Sequence, residues 1–173
     1  MKQTCTIRNA KPEEFDEIGE LLVQVYSKLE GFPKQSDQPE YYKMLANIGD
    51  LTKKPETELL VAISTEGKII GGVVYFCDMQ YYGSGGTATQ EKNASGFRLL
   101  AVDSSSRGQG IGKLLTHECI RKAKIKKNTQ IIIHTTKAMQ TAWKMYETIG
   151  FKRSEDLDFM QAELPVFGFR LVL

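Results

Sequence analysis

Three glycines at alternating positions, Gly108, Gly110 and Gly112, follow a short apolar run at residues 97–102 and precede an amphipathic stretch. The apolar run predicts a buried strand, and the amphipathic stretch predicts a helix. The first backbone N–H groups of a helix have no partner within the helix, and the helix dipole is positive at that end. Because glycine has no Cβ, an anion can approach several of these N–H groups at once. The spacing therefore predicts a phosphate-binding loop.

The same spacing limits which phosphate compound binds at the loop. A Walker-type loop for ATP or GTP places four residues between its glycines and a Ser or Thr after its lysine. Here three residues separate Gly108 from Gly112, and Leu114 follows Lys113. A dinucleotide fingerprint has the pattern Gly-x-Gly-x-x-Gly near a first strand, whereas this chain has Gly-x-Gly-x-Gly beyond its middle. ATP, GTP and NAD are therefore disfavoured.

The loop resembles the acyl-coenzyme A loop of the GNAT superfamily of N-acetyltransferases, whose pattern Gln/Arg-x-x-Gly-x-Gly/Ala is met by Arg107, Gly110 and Gly112. A second element of the family, Tyr-Glu-x-x-Gly-Phe, resembles residues 146–151. The resemblance implies that acetyl-CoA is the co-substrate and that the loop amides hold its pyrophosphate. The residues it implies for acetyl-CoA are Ala101 and Val102 on the strand, and Arg107, Gly108, Gln109, Gly110, Ile111, Gly112 and Lys113 in the loop.

The resemblance also implies a catalytic role for Tyr146. After acetyl transfer the departing thiolate needs a proton, and a phenol with a pKa of about 10 can supply one to a thiol whose pKa is about 8.5. The tyrosine of the family motif matches Tyr146, which is therefore the expected general acid. Its neighbours Ala142 and Ile149 lie at helical spacing, so the ring also fits a position in the core.

The base that deprotonates the attacking amine is not assigned by the sequence. An amine with a pKa of about 10.4 must lose a proton before it attacks a thioester. Some relatives carry a carboxylate on the strand before the loop, but residues 97–102 contain none. Asp158 and Glu163, near the last predicted hairpin, could face the amine or occupy exposed strand ends, and a chain of water molecules is the other alternative. His117 and His134 lack the neighbours of a zinc site or a serine triad, so no metal is expected.

Strands and helices are predicted along the rest of the chain from apolar periodicity. Strands are expected at residues 3–8, 58–64, 68–77, 130–134 and 166–173, and helices at residues 15–29, 41–48, 111–127 and 138–149. Strand, helix and strand over residues 97–134 form a right-handed parallel crossover, which puts the loop at strand carboxyl ends, where α/β proteins bind ligands. Residues 78–96, rich in glycine, fit either a mobile flap over the acceptor site or a plain connection.

Together with the resemblance, this order of elements predicts the fold class. We expect an α/β (α+β) fold in which residues 1–173 form a single GNAT-like domain. Its sheet should be mixed and mostly antiparallel, with the parallel strand–helix–strand unit at the acyl-CoA site and helices on both faces.

Composition excludes some classes of protein. A chain of 173 residues with 41% hydrophobic and 25% charged residues is expected to fold, and a net charge of +2 argues for neither nucleic acid nor membrane as a partner. The basic residues at 121–127 are expected to be a solvated helix end. Cys5, Cys77 and Cys119 form no paired pattern, and no signal peptide or membrane span is visible, so a cytoplasmic protein is expected. A homodimer is compatible with the sequence.

The expected function is transfer of the acetyl group of acetyl-CoA to a primary amine, on a small molecule, a peptide or a protein, by direct attack on the thioester. Two alternatives stay open. The same fold could use another acyl-CoA or another acceptor, or the protein could be an acyl-CoA sensor without catalysis.

Overall fold

Eight strands form one sheet with helices on both faces, in a computed structural model that describes residues 5–173. The strands are β1 (Cys5–Asn9), β2 (Thr57–Ser64), β3 (Ile69–Phe76), β4 (Ala94–Val102), β5 (Gln130–Thr135), β6 (Lys152–Arg153), β7 (Phe159–Gln161) and β8 (Leu164–Val172). The helices are α1 (Phe15–Ser27), α2 (Pro39–Ala46), α3 (Ile111–Ile125) and α4 (Gln140–Ile149). Of the strand predicted at residues 3–8, residues 3 and 4 lie outside the described residues.

The order of strands across the sheet is β1-β2-β3-β4-β5-β8-β6, and β7 pairs with β8 beside this path. Within the described residues, β4 and β5 are parallel and the other paired strands are antiparallel. The chain passes from β4 to β5 through α3, so the predicted parallel strand–helix–strand unit is present. The predicted fold class, a mixed and mostly antiparallel sheet with helices on both faces, is confirmed.

The two faces of the sheet have separate cores. On β2, Leu59 and Val61 belong to the core that contains α1 and α2, whereas Leu60 and Ala62 belong to the core that contains α3 and α4. Successive side chains of a strand point to opposite faces, so a strand covered on both sides must be apolar at consecutive positions. This requirement explains the unbroken apolar runs of β2 and β3.

The stretch predicted as a loop or flap, residues 78–96, is anchored to the core. Met79, Tyr82 and Ala88 are fully buried, and short 3₁₀ turns at Met79–Tyr81 and Ala88–Gln90 hold them in place. Tyr82 and Ser84 of this stretch line the cavity described below, so its place beside a possible acceptor site stays a prediction. β4 also begins earlier than predicted, at Ala94, because β3 and β5 pair with its small first residues, which have little strand propensity of their own.

Gly19 of α1 packs closely against the end of α2. A Cβ at Gly19 would overlap the carbonyl oxygen of Ala46 and stand 2.8 Å from its carbonyl carbon. In an open helix, alanine is more stable than glycine by about 1 kcal/mol. Here we expect Gly19→Ala to lower the free energy of unfolding by about 1–3 kcal/mol in urea titration, because the helices must separate.

Glu20→Ala is the control, since Glu20 is exposed on the next position of α1. That change should alter the free energy of unfolding by no more than about 0.5 kcal/mol. If Gly19→Ala has the same free energy of unfolding as the parent, α1 and α2 can separate enough to admit a methyl group without loss of stability.

Candidate active site

A cleft opens where β4 and β5 part. Among the described residues the two strands pair at Ala94, Ser95 and Gly96, after which β5 continues against β8 and β4 continues against β3. A cavity of about 460 Å³ lies between the diverging strands. This volume is within the usual range for small-molecule sites, about 300–1,000 Å³.

A bulge in β4 accompanies the separation. Leu99 has φ of 63°, and Arg98 and Ala101 of β4 pair with Val74 and Gly72 of β3, so two residues of β4 oppose one of β3. Bulges of this kind bend a strand and increase its twist. Beyond Gly96, the edge of β4 that faces β5 has no strand partner among the described residues. Ala101 and Val102 both line the cavity beside this edge.

The glycine loop joins β4 to α3 at the same end of the cleft. Gly108 and Gly110 each have φ of 78°, and a Cβ at either position would meet nothing within 4 Å. Gly110 is the N-cap of α3 and supplies no side chain to the first N–H groups of the helix. The loop therefore combines unpaired donors with an open approach, which is the arrangement an anion such as a pyrophosphate requires.

Most of the residues predicted for acetyl-CoA are brought together by the structure. The ones that line the cavity are Ala101, Val102, Arg107, Gly108, Gly110, Ile111 and Gly112. Gln109 of the loop and Lys113 of the first turn of α3 lie outside the cavity lining, with exposed side chains. Their contact with a ligand stays a prediction, as does that of the lining residues.

Tyr146 is both a core residue and a residue of the cavity wall. Its ring packs edge-to-face against Phe97 at 5.8 Å and Phe151 at 5.7 Å between centroids, so it is part of the core. The same side chain lines the cavity. Burial raises the pKa of the Tyr146 hydroxyl above its ordinary value, which keeps the hydroxyl protonated at neutral pH. A proton donor facing the cleft needs this protonation state.

A hydrogen-bonded pair in the cavity wall, Tyr82 and His134, is missed by the sequence analysis. Nε2 of His134 lies 2.8 Å from the carbonyl oxygen of Leu157, so Nε2 carries the hydrogen and donates it. Nδ1 of His134 then accepts from the Tyr82 hydroxyl at 3.0 Å. Burial lowers the pKa of His134 to about 4. His134 is therefore a neutral acceptor that fixes the orientation of the Tyr82 hydroxyl.

Arginine supplies the formal charge in the cavity wall. Arg98 lies on β4 and Arg107 lies in the glycine loop, and both line the cavity. No Asp or Glu within residues 5–173 contributes to the lining. A strand residue such as Arg98, charged within the otherwise apolar run of β4, is a signal that sequence reasoning could have used.

Asp158 and Glu163 do not face the cavity, contrary to one of the alternatives in the sequence analysis. Asp158 accepts hydrogen bonds from Arg153 at 2.8 and 2.7 Å and from the backbone N–H of Gly168 at 2.7 Å. The hydrogen bond from Arg153 lowers the pKa of Asp158. Glu163 is exposed between β7 and β8. Both belong to strand ends, which was the other alternative, and neither can take a proton from an amine in the cleft.

Within residues 5–173, no three His, Cys, Asp or Glu side chains come close enough together to hold a metal ion. None of the helices described is long and apolar enough to cross a membrane. Cys5, Cys77 and Cys119 are each unpaired.

Sequence comparison gives a family match and several relatives. The family described as Acetyltransferase (GNAT) family matches residues 17–151. N-acetylaspartate synthetase of Xenopus tropicalis is 31% identical over 117 residues, which are 68% of this chain and 35% of that protein. The human N-acetylaspartate synthetase is 26% identical over 108 residues, 62% of this chain and 32% of its own length. The chain thus spans about a third of the length of these relatives.

Solved structures share the whole fold. A GNAT-family acetyltransferase from Staphylococcus aureus Mu50 superimposes with a TM-score of 0.74 at 20% identity, over 98% of this chain and 99% of the other. A GCN5-related N-acetyltransferase from Kribbella flavida gives a TM-score of 0.72 at 15% identity, over 98% of both chains. At these identities the likeness establishes the fold.

The low pKa of His134 predicts how stability changes with pH. In the unfolded chain a histidine has a pKa of about 6.5, whereas in the folded protein that of His134 is about 4. Between these values the unfolded state binds the extra proton, so stability falls as pH falls. From pH 6.5 to 5, we expect His134 to contribute up to about 1.4 kcal/mol of lost stability per pH unit.

Urea unfolding of parent and His134→Gln across this pH window measures the effect. The variant should lose stability less steeply as pH falls, whatever its stability at pH 7. His117→Gln is the matched control: it removes the other, exposed histidine, keeps His134, and should retain the steep dependence. Equal slopes for the parent and His134→Gln would show that His134 is not held neutral.

Proposed function

Since the chain belongs to the acetyltransferase (GNAT) family, which uses acyl-CoA as co-substrate, we propose that it transfers the acetyl group of acetyl-CoA to a primary amine. The proposal assigns residues 1–173 to one catalytic domain. The observation that carries it is the uncapped amino end of α3 at the cleft between β4 and β5. Unpaired donors there suit the pyrophosphate of coenzyme A.

The donor is bound by backbone groups at two places in this proposal. The pyrophosphate lies against the N–H groups of the loop and of the first turn of α3, where glycines leave the approach open. The pantetheine arm lies along the free edge of β4 beside Ala101 and Val102, where the strand backbone can hydrogen-bond to it as an added strand would. Arg107, exposed in the loop, adds a charge near the phosphates.

The reaction is a direct displacement at the thioester. The amine nitrogen forms a bond to the acetyl carbon, the carbon–sulfur bond breaks, and the bonding pair leaves with the sulfur. The nitrogen gives up its proton to water, the sulfur receives one from the Tyr146 hydroxyl, and the resulting tyrosinate, whose pKa is raised by burial, regains a proton from water. The products are an N-acetylated amine and free coenzyme A.

The three unpaired cysteines favour a reducing compartment, so we place this reaction in the cytoplasm.

Release of free thiol distinguishes an acetyltransferase from an acyl-CoA sensor without catalysis. Purified protein is mixed with acetyl-CoA and a panel of amines, thiol is measured, and acceptors are weighed by mass spectrometry. Aspartate is the first amine of the panel, because the relatives are named for N-acetylaspartate. An enzyme adds an acetyl group and releases coenzyme A, whereas a sensor binds acetyl-CoA with no release. Propionyl-CoA in parallel tests whether acetyl is the preferred group.

Changes at Gly110 test the phosphate loop. The positive φ of Gly110 suits Asn and Asp better than most residues, and a side chain there meets nothing, so both variants should fold. Gly110→Asp puts a negative charge in the path of the pyrophosphate and should abolish binding of acetyl-CoA in calorimetry. Gly110→Asn has the same shape without the charge and should lose no more than roughly tenfold in affinity.

Arg107→Ala should lower the affinity for acetyl-CoA less than Gly110→Asp does, since a single exposed charge contributes modestly to binding. Parental affinity in Gly110→Asp would remove the loop from the binding site.

Tyr146→Phe tests the general acid. The ring that packs on Phe97 and Phe151 is kept, and the hydroxyl alone is lost. A positioned acid contributes about 10²–10⁴-fold to rate, so kcat should fall by that order while the dissociation constant of acetyl-CoA stays within a few-fold.

Tyr75→Phe is the matched control for this experiment. Tyr75 is buried in the same core as Tyr146 but does not line the cavity, so loss of its hydroxyl should leave kcat near the parental value. If Tyr146→Phe also turns over at the parental rate, Tyr146 is a packing residue and the thiolate takes its proton from elsewhere.

A further inference from the structure

Arg98 carries a positive charge that no described residue neutralises. Its Nη1 donates to the backbone carbonyl of Tyr82 at 2.9 Å and reaches that of Gly83 at 3.5 Å. The guanidinium also lies over the Tyr82 ring, 5.7 Å from its centroid. Within residues 5–173, Nε and Nη2 make no hydrogen bond, and no carboxylate forms an ion pair with Arg98. The Nε–Nη2 edge of the guanidinium therefore has no hydrogen-bond partner among the described residues, and Arg98 lines the cavity.

The surroundings of Arg98 add positive charge. A Cβ at Gly83 would lie 3.3 Å from Nη1 of Arg98 and 3.5 Å from Nζ of Lys54, so both cations converge on this glycine. Lys54 likewise has no ion-pair partner among residues 5–173. No described Asp or Glu lines the cavity beside Arg98, and Lys54 lies near it outside the cavity lining. Leaving a half-buried charge unpaired is costly, and a bound anion would relieve that cost.

The charge of Arg98 affects the pKa of several side chains in the cavity wall. Burial raises the pKa of Tyr41 to about 12 and lowers that of His134 to about 4. The positive charge of Arg98 acts on both groups in the direction that lowers the pKa. It acts on Tyr26 and Tyr82 as well. All four side chains line the same cavity, so the guanidinium lies where an occupant of the cavity would meet it.

The position of Arg98 separates it from the coenzyme A site. It precedes Val102 by four residues on β4, on the far side of the bulge at Leu99, and the loop that suits the pyrophosphate follows Val102. Its neighbour Phe97 points to the face of the sheet that holds Tyr146, whereas Arg98 points to the face that holds Tyr26 and Tyr82. An anion at Arg98 therefore belongs to the second substrate.

We propose that the Nε–Nη2 edge of Arg98 binds a carboxylate of the acceptor, so that the acceptor is an anionic amine, such as an amino acid with a free carboxylate. A guanidinium edge and a carboxylate fit as two parallel hydrogen bonds, which a lysine cannot reproduce. Lys54 adds positive charge nearby, on the Nη1 side of the guanidinium. The inference rests on the proposed acetyl transfer and defines its acceptor.

Pairs of amines that differ only in the carboxylate test the inference on the parent protein. Glycine and glycinamide, and aspartate and its diamide, are compared as acceptors at one pH and saturating acetyl-CoA. We expect kcat/KM for each carboxylate to exceed that for its amide by about 10- to 100-fold, the usual value of a charge-assisted contact. The amides have less basic amines and so more of the neutral form, which works against the expected preference.

Variants then test whether Arg98 is the source of the preference for carboxylates. Arg98→Gln should lower kcat/KM for the carboxylates about 10- to 100-fold, mainly through KM, leave the amides nearly unchanged, and leave the dissociation constant of acetyl-CoA unchanged. Arg98→Lys keeps the charge without the two-pronged geometry and should retain part of the preference. Arg107→Gln is the cross-control, which should raise the KM of acetyl-CoA and keep the preference for carboxylates.

The outcomes separate this inference from the function on which it rests. Acetylation of amides as fast as carboxylates, or an undiminished preference in Arg98→Gln, overturns the role of Arg98 and leaves acetyl transfer intact. If no amine releases thiol, acetyl transfer fails, and calorimetry with coenzyme A bound still decides the role of Arg98. N-acetylglycine should then bind at least about tenfold more tightly than its amide, and equal affinity overturns the inference.

Discussion

The parallel pairing of β4 with β5 ends at Gly96, and the cleft depends on this break. The bulge at Leu99 lets β4 stay paired with β3 while its other edge leaves β5. The hydroxyl of Tyr26 donates to the carbonyl of Leu100 at 3.2 Å and supports the bulged backbone from the α1 side. If the strands stayed paired to their ends, the edge of β4 would be used by β5, and the amino end of α3 would open onto a closed sheet.

The break also makes both faces of the sheet accessible from one cavity. Tyr146 on α4 belongs to the core of one face, and Arg98, Tyr82 and His134 meet on the other. A thioester lying along the β4 edge would sit between the two faces. The amine can then approach its carbon from the side of Arg98 while the sulfur faces Tyr146, so attack and proton donation need not compete for the same space.

Features that depend on neighbours in the chain could be predicted, and features that depend on distant contacts could not. The glycine loop is local: Gly108 and Gly110 have the positive φ that their residue type suggests. The order of strands and helices, with the family motifs, was enough for the fold. Tyr82 and His134 are 52 residues apart, and the stretch that contains Tyr82 looks like a loop until its burial is known. Asp158 looked available because its pairing with Arg153 depends on the conformation of the turn between them.

The charge of the cavity bears on how an amine loses its proton without a carboxylate base. Asp158 is held by Arg153, and no Asp or Glu of residues 5–173 lines the cavity, so the described wall offers no carboxylate to receive that proton. Positive groups nearby and partial burial both disfavour an ammonium ion, and both therefore lower the pKa of a bound amine. An acceptor carboxylate at Arg98 would anchor the molecule, and the apolar cavity wall would still favour the neutral amine. The charge of Arg98 can thus select an anionic acceptor, while partial burial in the cleft helps to bring its amine into the neutral form that attacks.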